Sequence, residues 1–249
     1  MIEISTEFFA NIECLHAAPA GKRHEPLPTL LFFHGFTSSK EVYSYFGVAL
    51  AQAGFRVILP DADRHGSRYD GDTDARLTHF WEILKSNIDE VPLLEQALRE
   101  KQLIDGARFA VAGASMGGMT ALGAMARYPH LASVACMMGS GYFMSLSHTL
   151  FPPLMAKTPE QQQIFAGRMA PLAEYDVSEQ LEKLADRPLL VWHGEADDVV
   201  PAAESFRLEK AMREAKLDAR LTFLTEKGIG HRITPPALNA VAAFFKHHL

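Results

Sequence analysis

A series of short apolar runs alternating with amphipathic stretches constrains this chain more than any other feature. Leu30-Leu31-Phe32-Phe33 is apolar without alternation, the pattern of a strand buried on both faces. Further runs lie at Phe55–Leu59, Arg108–Ala112, Leu131–Met138, Leu189–Trp192 and Leu221–Leu224. Between them the spacing predicts helices. One opens at the capping-box spacing Ser38-Ser39-Lys40-Glu41 and ends near Gly54. A long one covers Phe80–Glu100, with a kink expected at Pro92. Others cover Met116–Tyr128, stopped by Pro129, then Ala202–Ala215 and Pro236–His248. The alternation from residue 30 onward predicts an α/β fold with a mostly parallel sheet covered by helices on both faces. Ahead of it, Ile2–His16 alternates and breaks at Ala10-Asn11, which reads as two short strands.

With 249 residues the chain suits a single domain, 1–249. One stretch breaks the rhythm. About fifty residues separate the runs ending at Met138 and starting at Leu189, too many for an ordinary crossover. Residues 143–173 within it are rich in Phe, Leu and Met and read as a small helical cap inserted over the sheet.

The net charge is −6 and Lys and Arg form no cluster, so nucleic acid and anionic membranes are poor partners. No apolar run has transmembrane length, and the N-terminus lacks the basic and apolar regions of a secretion signal. A cytoplasmic location is the expectation. Cys14 and Cys136 form no C-x-x-C pair and read as reduced thiols.

The chemistry concentrates in four loops. Gly113-Ala114-Ser115-Met116-Gly117-Gly118 contains G-x-S-x-G. The string alone is weak, but here an apolar strand precedes it and a helix follows, which is the elbow that exposes a nucleophilic serine. Glycines beside Ser115 leave room for a strained backbone, and the helix N-terminus favours a developing oxyanion. Gly113–Thr120 also approaches a phosphate-binding loop, but Met119 stands where that loop needs lysine. His193-Gly194-Glu195-Ala196-Asp197-Asp198 follows a strand and offers a carboxylate. Either aspartate could instead serve the N-terminus of the next helix, and Asp198 is the one expected there. Gly228-Ile229-Gly230-His231 places a histidine on a glycine-flanked loop, and the order Ser115, Asp197, His231 is that of a serine hydrolase triad. His34-Gly35-Phe36 is placed to supply the Phe36 amide to an oxyanion hole beside that of Met116, with His34 supporting the loop. His34, His65, His193 and His231 are scattered along the chain and no H-E-x-x-H occurs, so neither a metal site nor a cofactor is expected.

Together these segments resemble the α/β-hydrolase superfamily over nearly the whole chain. More narrowly, His34–Ser39, Gly113–Gly117, Met138–Phe143, Leu150–Leu154 and Trp192–Gly194 resemble the bacterial YjfP-type esterases. The resemblance implies carboxylic-ester hydrolysis and carries over Ser115, Asp197 and His231 as the triad. Dienelactone hydrolases are similar in size but place Cys at the elbow. The catalytic domain of prolyl oligopeptidases is also similar, but this chain has no room for their propeller. The expected partner is a small acyl ester. A thioester at the same site, a peptide, or a non-catalytic binding role are the alternatives. Residues 143–169 of the cap carry ten large apolar residues, and several are expected to contact the acyl chain, with Phe143, Phe151, Met155 and Phe165 as candidates.

Overall fold

The computed structural model describes all residues from Met1 to Leu249. Ala10 (φ 50°) and Asn11 (φ 63°) form the two-residue turn that joins β1 (Ile2–Phe9) to β2 (Ile12–Pro19) as an antiparallel hairpin. Left-handed φ at both positions gives the turn a twist that matches the strands. The chain then lays down β3 (Leu27–Phe33), β4 (Arg56–Pro60), β5 (Ile104–Ala114), β6 (Val134–Met137), β7 (Leu189–Gly194) and β8 (Leu221–Glu226). The eight strands form one sheet in the order β1-β2-β4-β3-β5-β6-β7-β8, parallel from β4 to β8.

Side chains alternate across each strand even where all are apolar, so the sheet serves two separate cores. Leu31, Phe33, Val111 and Val191 face α3 (Phe80–Glu100) and α4 (Met116–Arg127), meeting Leu84, Ile88, Met119 and Leu122. Leu30, Phe32, Ala110, Ala112 and Trp192 face α1 (Ser44–Gln52) and α8 (Pro235–His248), meeting Phe46, Leu50, Val241 and Phe245. The chain leaves β3 through α1 on one face and reaches β5 through α3 on the other. The carboxyl ends of β3 and β5 are therefore a topological switch point, where α/β sheets leave a crevice for ligands.

Most elements lie within a few residues of their expected places, with two differences. The helix expected from Ser38 begins only at Ser44, with no side-chain cap. The Lys40 N–H goes instead to Asp61 Oδ1 at 2.9 Å, and its buried ammonium bonds Asp61 and reaches Glu13 and Glu41 at 2.9 and 3.0 Å. A buried ion pair outweighs a surface cap here. A short helix, α2 (Thr73–Thr78), lies in a stretch with no expected element and is capped by Asp72, which accepts from Ala75 N–H. α3 spans Phe80–Glu100 as expected, with Pro92 inside it. Proline removes the N–H that would bond the Ile88 carbonyl one turn back. The Tyr128 hydroxyl donates to that carbonyl at 3.1 Å instead.

Between β6 and β7 lie α5 (Phe143–Leu146) and α6 (Pro159–Met169). The latter opens with a full capping box, Thr158 with Gln161. Later come α7 (Ala203–Glu214), which adds Leu208 and Met212 to the α3/α4 side, and finally α8. No helix is long and apolar enough to cross a membrane.

Candidate active site

β5 ends at Ala114 and α4 begins at Met116, which leaves Ser115 alone at the corner with φ 58° and ψ −120°. Such a backbone costs a non-glycine residue strain of about 1–3 kcal/mol. Its neighbours hold it there. The Ser115 N–H donates to Met137 O at 2.8 Å. A methyl group at Gly117 would overlap the Phe33 carbonyl, and one at Gly113 would overlap the Gly117 backbone, so only glycine lets β3 and α4 close on the corner.

The loop after β8 brings His231 to this corner. Its backbone is tied to the loop after β7 by Ala196 N–H donating to Ile229 O at 2.8 Å. His231 Nε2 lies 2.8 Å from Ser115 Oγ, and Nδ1 lies 2.7 Å from Asp197 Oδ2. A carboxylate only accepts, so Nδ1 carries the proton and Nε2 is free to accept from the Ser115 hydroxyl. The expected trio is thus brought together in one hydrogen-bonded line.

Asp197 is buried and saturated with donors. Oδ1 accepts from Val199 N–H at 2.9 Å and Val200 N–H at 3.0 Å. Burial alone would raise its pKa, but hydrogen bonds from His193, His231 and Val199 outweigh burial and hold the carboxyl well below the usual carboxylate range. His193 is fully buried, with Nε2 2.9 Å from Val200 O and 3.2 Å from Asp197 Oδ2, and Nδ1 2.7 Å from Ser205 Oγ. The carbonyl requires the proton on Nε2, so Ser205 donates to Nδ1. Asp198, expected to serve a helix N-terminus, is exposed and makes no side-chain hydrogen bond. The first-turn acid of α7 is Glu204.

On the other side of Ser115, the loop after β3 carries Phe36, whose N–H has no partner within the chain. Met116 is the first residue of α4 and its N–H has no carbonyl one turn back. A cavity of about 260 Å³ opens between them. Phe36, Thr37, Phe80, Met119, Leu150, Phe151, Val199 and Val200 line it, with no charged side chain beside Ser115 and His231. The rings of Phe36, Phe80 and Phe151 lie 4.9 Å apart pairwise. The Trp81 indole N–H, 3.2 Å from both the Leu150 and Phe151 carbonyls, pins this part of the 143–173 segment.

Of the four candidate pocket residues, only Phe151 lines this cavity. Phe143 is fully buried beside Gly123 and Trp81, under the segment rather than in the site. Phe165 packs into the same core with its ring stacked on His148 at 4.6 Å. Met155 is 65% exposed. Sequence reasoning also missed Phe80 and Met119. Met119 had a signal, since it lies one helical turn beyond Ser115. The four histidines scattered in sequence gather in pairs: His193 and His231 share Asp197, and the rings of His34 and His65 lie 5.3 Å apart. Glu13, Glu41 and Asp61 converge as a metal set would, but the Lys40 ammonium stands among them and supplies the positive charge.

A model of the prolyl oligopeptidase family matches residues 44–249. Over the full length of both chains, the sequence is 54% identical to esterase YjfP of Escherichia coli strain K12. It is 34% identical to YitV of Bacillus subtilis strain 168, again over both full lengths. Among solved structures, TT1662 from Thermus thermophilus superposes with a TM-score of 0.77 at 24% identity, covering 99% of this chain and 98% of that one. The likeness to prolyl oligopeptidases, counted against above, is thus supported by the family match.

Proposed function

This chain belongs to the prolyl oligopeptidase family of α/β-hydrolases, and from that membership we propose that it is a serine carboxylesterase acting on small, uncharged acyl esters. The observation that carries this reading is the unbroken line from Ser115 Oγ to His231 Nε2 at 2.8 Å and from His231 Nδ1 to Asp197 Oδ2 at 2.7 Å, at the mouth of an apolar cavity.

In the first step Ser115 Oγ attacks the ester carbonyl while His231 Nε2 takes its proton. The Phe36 and Met116 amides receive the oxyanion, and His231 returns the proton to the leaving alkoxide. In the second step His231 activates water, which releases the acid from the acyl-enzyme. Asp197 fixes the tautomer of His231 and stabilises the imidazolium. The segment 143–173 acts as a cap whose Leu150 and Phe151 close the acyl pocket. An amine or carboxylate on the acyl group would lose its water there without gaining a partner, which favours neutral acyl groups over aminoacyl or peptidyl ones. The cavity is smaller than the roughly 300–1,000 Å³ of drug-sized ligand sites, which favours short chains.

The test is a panel of p-nitrophenyl esters and acyl-CoA thioesters with the wild type and Ser115→Ala. The variant should stay folded and lose roughly ten-thousand- to million-fold in kcat, because the attacking oxygen is gone. A fluorophosphonate probe should label only the wild type, and EDTA should leave the rate unchanged. Labelling that persists in Ser115→Ala would place the nucleophile elsewhere.

A further inference from the structure

The oxyanion amide of Phe36 sits on a loop that β3 alone does not hold. A second loop, Asp61–Arg68 after β4, runs beside it, and two buried histidines join the pair. His34 Nδ1 lies 2.8 Å from the Gly35 carbonyl in its own loop, and its Nε2 receives the Ala62 N–H of the other loop at 3.0 Å. His65 mirrors this. Its Nδ1 lies 2.7 Å from the Asp63 carbonyl in its own loop, and its Nε2 receives the Thr37 N–H of the first loop at 2.9 Å. Carbonyls only accept and amide N–H groups only donate. Both imidazoles are therefore neutral, with the proton on Nδ1 and Nε2 bare. Asp61 Oδ1, at 3.8 Å from His34 Nε2, is too far to compete and already accepts from Lys40 N–H.

These bonds fall on consecutive peptide planes. The Gly35 carbonyl and the Phe36 N–H belong to one planar trans peptide, so the bond from His34 sets the direction in which the Phe36 N–H points. The Thr37 N–H belongs to the next plane, which His65 holds. Thr37 sits at φ 60°, unusual for a β-branched residue, and needs that hold. The Phe36 ring lies 5.2 Å from that of His65.

We propose that His34 and His65 form a reciprocal clamp that aims the Phe36 N–H at the oxyanion, with each histidine a positioning residue in its neutral Nδ1–H form. The clamp rests on the reading of Phe36 as oxyanion donor. It touches no reacting atom, so it acts on the transition state more than on ester binding.

The test compares His65→Gln with His65→Asn. The Gln carbonyl reaches about as far as Nε2 and can accept from Thr37, whereas the Asn carbonyl stops near the Nδ1 position. His65→Gln should keep kcat for p-nitrophenyl acetate within about threefold of wild type. His65→Asn should lose about 10- to 100-fold in kcat with KM within about threefold, somewhat less than removing an oxyanion donor outright. Affinity for a trifluoromethyl ketone, whose adduct places an oxyanion in the hole, should fall in step with kcat. Equal kcat in the two variants, or a loss confined to KM, overturns the clamp. Nitrogen-15 spectra of the wild type decide the matter even if both variants unfold. Both histidines should show the Nδ1–H tautomer at neutral pH, and an Nε2–H or doubly protonated ring at either overturns it. A wild type inert to every ester and to fluorophosphonate would instead fail the esterase reading, and the spectra would still report on the clamp.

Discussion

Asp197 and Asp198 are neighbours in the chain and opposites in environment. Asp197 receives two backbone N–H groups and lies against two imidazoles, while Asp198 is exposed. Asp197→Asn presents an amide to His231 and disrupts the tautomer the base needs, so kcat should fall roughly 1,000- to 10,000-fold. Asp198→Asn should change kcat by less than about tenfold. Rates measured side by side check this, and a reversal of the order would move the acid to Asp198. Ser115 and His231 stand out in the sequence because their glycine-flanked loops have few uses other than exposing a side chain. Both aspartates fit the same strand-end loop, and the resemblance to the YjfP-type esterases is what selects Asp197 over Asp198 in the sequence. Nothing in the sequence marks His193 as a partner of Asp197. Its link to Asp197 depends on the turn after β7 doubling back, and no helical or strand period in the sequence announces that.

At the scale of elements, the 143–173 segment was visible as an interruption of the strand–helix rhythm, but its large apolar residues could not be sorted. Phe143 and Phe165 went to the core, Met155 to solvent and Phe151 to the cavity. A buried wall and a pocket wall have the same composition, and only the tertiary placement of each residue, such as Phe143 against Trp81 and Gly123, separates them. The same limit explains the late start of α1. The Ser38–Glu41 spacing is a sound local signal, overridden by the Lys40–Asp61 pair, whose carboxylate lies in the loop just after β4. The cavity gives the sorting a consequence. Each buried methylene is worth about 0.8 kcal/mol, so a butyryl ester should exceed an acetyl ester in kcat/KM by up to about fifteenfold. The gain should stop at the Phe36–Phe80–Phe151 wall. Phe151→Ala should move the optimum to longer chains. Phe165→Ala should cost stability, of the order of 3 kcal/mol, without moving it. Chain-length profiles of both variants check this. A shift in Phe165→Ala and none in Phe151→Ala would place the acyl wall elsewhere.

Taken as a whole, the molecule buries several imidazoles that stay neutral, and this makes its stability depend on acid. Burial pushes the His65 imidazole down to about 4 and also lowers His16 and His34. An ordinary histidine in the unfolded chain titrates near 6.5. Between those values the unfolded state binds protons that the folded state refuses. Stability is therefore fully present above about pH 6.5 and is lost as the pH falls toward 4. Asp61 and Asp197, both held below the usual carboxylate range by their hydrogen bonds despite burial, extend the loss to lower pH. For His65 alone, linkage gives a loss of about 2 kcal/mol between pH 7 and pH 5, a sizeable part of the roughly 5–15 kcal/mol that holds a typical domain together. His65→Gln keeps an acceptor for Thr37 and cannot titrate. Guanidinium unfolding at pH 7 and pH 5 should therefore show the wild type losing about 2 kcal/mol more than His65→Gln over that interval. Equal losses would mean that His65 takes up its proton in the folded state near the ordinary value. The Thr37 N–H would then face a second donor, which the observed 2.9 Å bond does not allow.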